Sequence, residues 1–180
     1  MWFIPTNSKA LLAILNSKMG WWLITKFCTQ IQGGYQLIWK YFGQIPVPDL
    51  PNDEKISNLA EARLFFTSKL YFSKERFLRR LQDNFEGMKI TGALEQFDTM
   101  EFAEFLKELK KQKITLSLSQ QDEWEEYFNQ YKTDCNNLSS EIAATDNAID
   151  FKVYKLYGLT YEEVLVVDKD TKITREEYEK

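Results

Sequence analysis

Histidine is missing from all 180 residues. With it go the commonest general base, the usual partner of a serine or cysteine nucleophile, and a leading zinc and iron ligand. Cysteine occurs twice, at Cys28 and Cys135, far apart and in no metal-binding or disulfide spacing. Both are expected to be buried thiols in a reducing compartment. The one adjacent glycine pair, Gly33-Gly34, is followed by Tyr35 and not by a helix carrying Lys-Ser or Lys-Thr, so no phosphate-binding loop is formed. Long apolar runs are lacking too. The best, 11–24, is broken by Asn16, Ser17 and Lys18 and is too short for a bilayer. No basic start with an uninterrupted apolar stretch marks a secretory leader, and the expectation is a cytoplasmic protein.

What is present is enough for a folded core, with 44% hydrophobic and 15% aromatic residues. The pI near 5.1 argues against a protein that coats nucleic acid through a broad cationic surface, so any such contact must be local. The charge is unevenly spread. Residues 1–51 carry four lysines against one acid, Asp49, for a net of +3, whereas the remainder carries 19 basic and 26 acidic residues, a net of −7. Asp49 with Asp53, Glu54 and Lys55 echoes a magnesium-binding nuclease set. Pro46, Pro48 and Pro51 instead make this an extended linker running into a helix whose N-terminus favours acids.

The periodicity predicts a mainly α fold with a small β element. A helix is expected over 8–27, capped by Asn7 or Ser8, with Leu11, Leu12, Leu15, Met19, Trp22 and Leu23 at three- and four-residue spacing. Residues 29–42 read as a hairpin or paired strands around the glycine pair. A second helix is expected over 52–85, capped by Asn52 or Asp53, with Ile56, Leu59, Phe66, Leu70, Phe77 and Leu81 in one seam. A shorter one is expected over 99–113. The longest starts at a Ser119/Asp122 capping pattern and carries Trp124, Phe128, Tyr131, Cys135, Leu138, Ile142, Thr145 and Ile149 in alternating four- and three-residue steps, with Val153 and Leu156 extending the stripe. It needs a partner, and the 52–85 helix, running antiparallel, would bury both seams. Thr160/Glu163 and Thr174/Glu177 are capping boxes of short terminal helices. The chain thus divides into an α/β block over 1–51, a helical spacer over 52–158 and short helices over 159–180.

Several strings then resemble one family. Leu-Leu-Ala-Ile-Leu-Asn-Ser-Lys (11–18), Thr-Gln-Ile-Gln-Gly-Gly-Tyr (29–35) and Gln-Ile-Pro-Val-Pro (44–48) resemble the end of the TaqI-like C-terminal specificity domain of type IIG, Eco57I-like restriction-modification enzymes. Phe-Leu-Lys-Glu-Leu-Lys-Lys-Gln-Lys-Ile (105–114), Asp-Glu-Trp-Glu-Glu-Tyr-Phe (122–128) and Ile-Asp-Phe-Lys-Val-Tyr-Lys-Leu-Tyr-Gly-Leu-Thr (149–160) resemble the same proteins. The resemblance implies the end of a DNA target-recognition domain followed by the helical pair. In such enzymes a nuclease part and an adenine-methylating part lie upstream and act on the same double-stranded DNA site. They use magnesium and S-adenosylmethionine. This chain has no Asn-Pro-Pro-Tyr-type motif and no glycine-rich S-adenosylmethionine loop, so no cofactor and no catalytic residue are expected in it.

The expected contact edge is Gln30, Gln32 and Gln36. On one strand their amides would share a face and could pair with base edges. Gly33 and Gly34 would allow close backbone approach, and Lys26 and Lys40 would hold phosphates. The alternative is a solvated polar face on a half-buried hairpin. Trp21, Trp22, Trp39, Tyr41 and Phe42 are read as core. A second basic cluster, Lys69, Lys74, Arg76, Arg79 and Arg80, is read as a solvated helix face paired with acids, or as a phosphate track. The competing function is a helical protein-interaction module with no DNA contact of its own.

Overall fold

A computed structural model describes residues 4–49 and 54–180. It is mainly helical with one two-stranded antiparallel sheet among the described residues. The order is α1 (Lys9–Asn16), α2 (Lys18–Phe27), β1 (Thr29–Ile31), β2 (Gly34–Gln36), α3 (Trp39–Phe42), α4 (Glu54–Asn84), α5 (Gly92–Glu95), a 3-10 turn (Phe97–Thr99), α6 (Phe102–Lys111), α7 (Leu118–Leu156), α8 (Tyr161–Val167) and α9 (Arg175–Glu179). The chain forms two compact units, 1–64 with 143–180, and 65–142.

In the first unit the expected single opening helix is two. Ser17 breaks it: its hydroxyl donates to the Ile14 carbonyl at 2.7 Å and accepts the Gly20 N–H at 3.0 Å, ending α1 and capping α2. The turn is tight because residue 20 is glycine. A Cβ there would lie 2.2 Å from the Ile14 carbonyl oxygen and 2.8 Å from that of Leu15. The apolar spacing runs through the break unchanged, which is why periodicity concealed it. Ser8 caps α1 as expected, accepting from Leu11 N–H at 3.1 Å.

Ile14, Leu23, Ile56, Val153, Tyr154 and Val164 are at the centre of this unit's core. Arg63 on α4 pairs with Asp146 on α7 at 2.8 Å, consistent with antiparallel helices. The Tyr157 hydroxyl donates to the Pro46 carbonyl at 2.8 Å, and the Tyr178 hydroxyl to that of Leu159 at 2.8 Å. Both terminal capping boxes form: Thr160 N–H donates to Glu163 at 2.8 Å and Thr174 N–H to Glu177 at 2.9 Å. One local expectation is corrected. Residues 39–42 are helical rather than strand, because Phe42 and Ile45 turn into the core, a three-residue step that β-favouring composition hid. The caps expected at Asn52 or Asp53 lie outside the described residues.

The second unit is built on rings. Phe77 on α4 is fully buried and stacks on Phe97 with centroids 3.9 Å apart. It meets Phe128 at 6.0 Å and Tyr131 at 5.7 Å on α7, and Phe105 at 6.0 Å on α6. The expected pairing of the long helices is therefore present, and α7 has 39 residues. Its start differs by two positions. Ser117 and Gln120 form the reciprocal cap, Ser117 N–H donating to Gln120 at 2.9 Å and Gln120 N–H to the Ser117 hydroxyl at 3.3 Å. α5 and the 3-10 turn went unforeseen because their signal is one Thr cap and runs of four and three residues. Thr91 accepts from Leu94 N–H at 3.3 Å, and Leu94 and Phe97 fill the core. Cys28 and Cys135 are free and buried, as expected, and burial pushes both thiols up.

Replacing Phe77 by alanine removes the ring shared by three helices. It is expected to cost about 3–5 kcal/mol in urea unfolding with loss of near-ultraviolet dichroism. A loss under about 1 kcal/mol contradicts this packing.

Candidate nucleic-acid interface

The hairpin pairs Thr29 with Gln36, Gln30 with Tyr35 and Ile31 with Gly34, leaving Gln32 and Gly33 as the turn. Gly33 has φ of 84° and Gln32 does not have a positive φ, the pattern of a type II turn, which needs glycine at its second position. Residues opposite one another in an antiparallel pair share a face. Gln36 is therefore on the face of Thr29, and Gln30 on that of Tyr35. The expected common face of three amides is not formed. The chain reverses between them, and a two-residue turn shifts the alternation by one position.

The hairpin is nevertheless open to solvent. Thr29 through Gly33 and Gln36 are exposed, while Gly34 and Tyr35 are half-buried. Tyr35 holds the sheet to α2 by an edge-on contact with Trp21 at 5.5 Å. Lys26, in the last turn of α2 just before the hairpin, and Lys40, on α3 just after it, are both exposed. Each also leans over a ring, Lys26 over Trp22 at 5.2 Å and Lys40 over Tyr41 at 5.5 Å. A cation in the last turn of a helix is also favoured by the helix dipole, whatever else it contacts.

The aromatics divide. Phe42 is core and Trp22 and Tyr41 are half-buried, but Trp21 is 56% and Trp39 64% exposed. With Ile31, Leu37 and Ile38, each exposed by 40% or more, they give the hairpin region apolar surface that core packing does not explain.

The second basic cluster is not uniform. Lys74 neutralises Asp98, which is 6% exposed, at 2.7 Å. The approach is off the hydrogen-bond direction, so that oxygen has charge compensation without a directed bond. Arg80 interacts with the Tyr127 hydroxyl. Lys69, Arg76 and Arg79 line an open groove between α4 and α7.

One feature was missed by the sequence reading. Asp150 on α7, 8% exposed, accepts the Lys18 N–H at 2.8 Å and so closes the start of α2. It borders a recess of about 470 Å³ that also involves Leu12, Trp21, Arg63, Leu64 and Asp146. Burial pushes the carboxyl up to about 6, against the lowering effect of the Lys18 N–H and with a further raise from Asp168. Its signal in the sequence is faint, a single acid beside Ile149 on the apolar stripe.

No group of three metal-ligating side chains is gathered among the described residues. No helix among them is long and apolar enough to cross a membrane.

The raised Asp150 carboxyl sets a pH dependence. A carboxyl that binds its proton more tightly folded than unfolded destabilises the fold progressively as pH rises from about 4 to about 6. Asp150→Asn keeps an acceptor for Lys18 and removes the charge. It is expected to stabilise by about 1–2 kcal/mol at pH 7, after discounting for solvent screening, and to be neutral near pH 4 in urea unfolding. Destabilisation at pH 7 contradicts the account.

Residues 49–153 match the family described as "Domain of unknown function (DUF8810)". No curated protein and no solved structure matches the chain. As the matched segment covers more than half of the 180 residues, and runs from before α4 to near the end of α7, the chain belongs to the DUF8810 family.

Proposed function

We propose that this chain is a DNA-recognition part of a restriction-modification enzyme of the type IIG, Eco57I-like kind and performs no chemistry itself. The observation that carries the reading is the acid-poor opening block. Its three specificity-domain-like strings contain an exposed hairpin bordered in sequence by exposed Lys26 and Lys40. Long-range attraction to phosphates needs cations with few neighbouring acids, and residues 1–51 have four lysines and one acid. Gln30 and Gln36 on opposite faces of the hairpin, with Gln32 in its turn, supply amides able to read base edges. The glycine turn lets the backbone come close to a duplex. The nuclease and adenine-methylating parts would belong to the same enzyme upstream, with their magnesium and S-adenosylmethionine. The long helices would set the distance between this end and other contacts.

A second reading has its own support. Exposed Trp39, Ile31, Leu37 and Ile38 suit a protein surface better than a phosphate backbone, which favours an interaction module. The helical seam is less available for that role, since Phe77, Leu81, Phe128 and Cys135 are buried within it.

Titration with duplex DNA at rising salt separates the two. Recognition through a few phosphates predicts weak binding that falls steeply with salt. Lys26→Glu with Lys40→Glu is expected to weaken it at least about tenfold and to reduce the log–log salt slope by about 2, with helicity unchanged. Binding that ignores salt or the two substitutions contradicts recognition. An absence of DNA binding favours the interaction module.

A further inference from the structure

The groove between α4 and α7 in the second unit carries a charge code that neither the seam nor the proposed DNA contact uses. On α4, Phe65, Lys69, Phe72, Arg76 and Arg79 recur at four- and three-residue steps, so they form one stripe about 21 Å long. Phe65 is 54% and Phe72 67% exposed, unusual for rings on a helix whose other face fills an aromatic core. On α7, Gln130, Asp134, Asn137 and Glu141 recur at the same steps and form the opposite wall, with Tyr131 and Leu138 half-buried between. One wall is thus basic and the other acidic. Lys69 leans on the Phe65 ring at 4.5 Å, and among the described residues Arg76 and Asp134 make no ion pair with each other or with a third group.

The levels of these charges matter as much as their sides. Phe77 meets Tyr131 at 5.7 Å, and the Ser73 hydroxyl contacts the Cys135 thiol. Because each step along α4 is matched by a step back along α7, Arg76 lies about level with Asp134, and Lys69 with Glu141. A basic wall and an acidic wall with charges at equal heights is self-complementary under one operation. A two-fold axis parallel to the helices lays α4 of one copy over α7 of the other at the same level. Arg76 then faces Asp134 of the second copy, Lys69 faces its Glu141, and the Phe72 rings are covered near the axis.

We propose that this groove is a homodimer interface in which two α4–α7 pairs close face to face as a four-helix arrangement. The occupant is a second copy because the charge pattern complements itself. A DNA duplex would meet the acidic wall of α7 as well as the cations of α4, and like charges across an interface oppose binding. The inference is independent of the DNA-recognition reading, which concerns the other unit. The stripe is short, so the expected interface lies near the lower size limit for specific association and the dimer is weak. The cross-copy ion pairs sit at its edge and make it salt-sensitive.

Sedimentation velocity of the full chain tests this, with charge swaps as the decisive arm. The wild type is expected to move from 21.3 kDa towards twice that mass as concentration passes through about 10–100 µM at low salt, and to return to monomer near 0.5 M salt. Arg76→Glu alone and Asp134→Lys alone are each expected to stay monomeric, since each homodimer then opposes like charges twice. An equimolar mixture of the two variants restores both pairs and is expected to dimerise like the wild type. The double variant is expected to do the same, and helicity by circular dichroism should be unchanged throughout. A chain that stays monomeric throughout this range, a dimer indifferent to both swaps, or a mixture that does not recover the dimer would each overturn the proposal.

Discussion

Two helices of 31 and 39 residues, each with an apolar stripe along much of its length, have to cover that stripe with something. At 1.5 Å per residue the longer one runs about 58 Å, far more than the short connecting helices can shield. Antiparallel pairing is the solution this chain adopts. Its strongest point is Phe77, which touches rings from three other segments. α5, the 3-10 turn and α6 follow from that arrangement. They bring Leu94, Phe97 and Phe105 over the pair and bury the faces that α4 and α7 cannot bury against each other. In the first unit the same two helices contribute Ile56, Ala60, Ile149 and Val153 to a core that is completed by α1, α2 and the terminal helices.

That organisation determines what is left for function. Where α1 and α2 turn at Ser17, a glycine and a buried carboxylate from α7 hold the bend. Beyond α2 the chain has little left to bury, so the hairpin is anchored by Tyr35 and anchored again where Phe42 and Ile45 enter the core. The glutamines, Gly33 and the two lysines are consequently outside, with Trp21 and Trp39 among them. Exposed amides, lysines and tryptophans from a sequence block that holds a single acid would suit an anionic partner that also offers flat apolar faces. Nucleic acid is one such partner, which is the physical ground for the recognition proposal.

Much of this was legible in the sequence wherever a long periodic pattern specified it. The extent of α7 and its pairing with α4 were readable because ten stripe residues at three- and four-residue spacing leave few alternatives. Thr160 with Glu163 and Thr174 with Glu177 were readable because a capping box is a local code. Three kinds of feature were not. The break at Ser17 preserves the helical spacing on both sides. The orientation of Gln30, Gln32 and Gln36 depends on where the chain turns, and a turn at 32–33 in place of a continuous strand reverses one of the three. Asp150 shows its role only when α7 and α2 meet, a contact across 132 residues of sequence. The exposure of Trp21 and Trp39 was missed for a similar reason, since composition reports that a residue can be buried and not whether the fold has room for it.

The central claim is that the opening block, and not the helical pair, contacts DNA. Amide hydrogen exchange of the full chain with and without a duplex at low salt measures this directly. The account predicts slower exchange confined to residues 26–40, with α4 and α7 unchanged. Protection along α4 between Lys69 and Arg80 with none in the hairpin would contradict it.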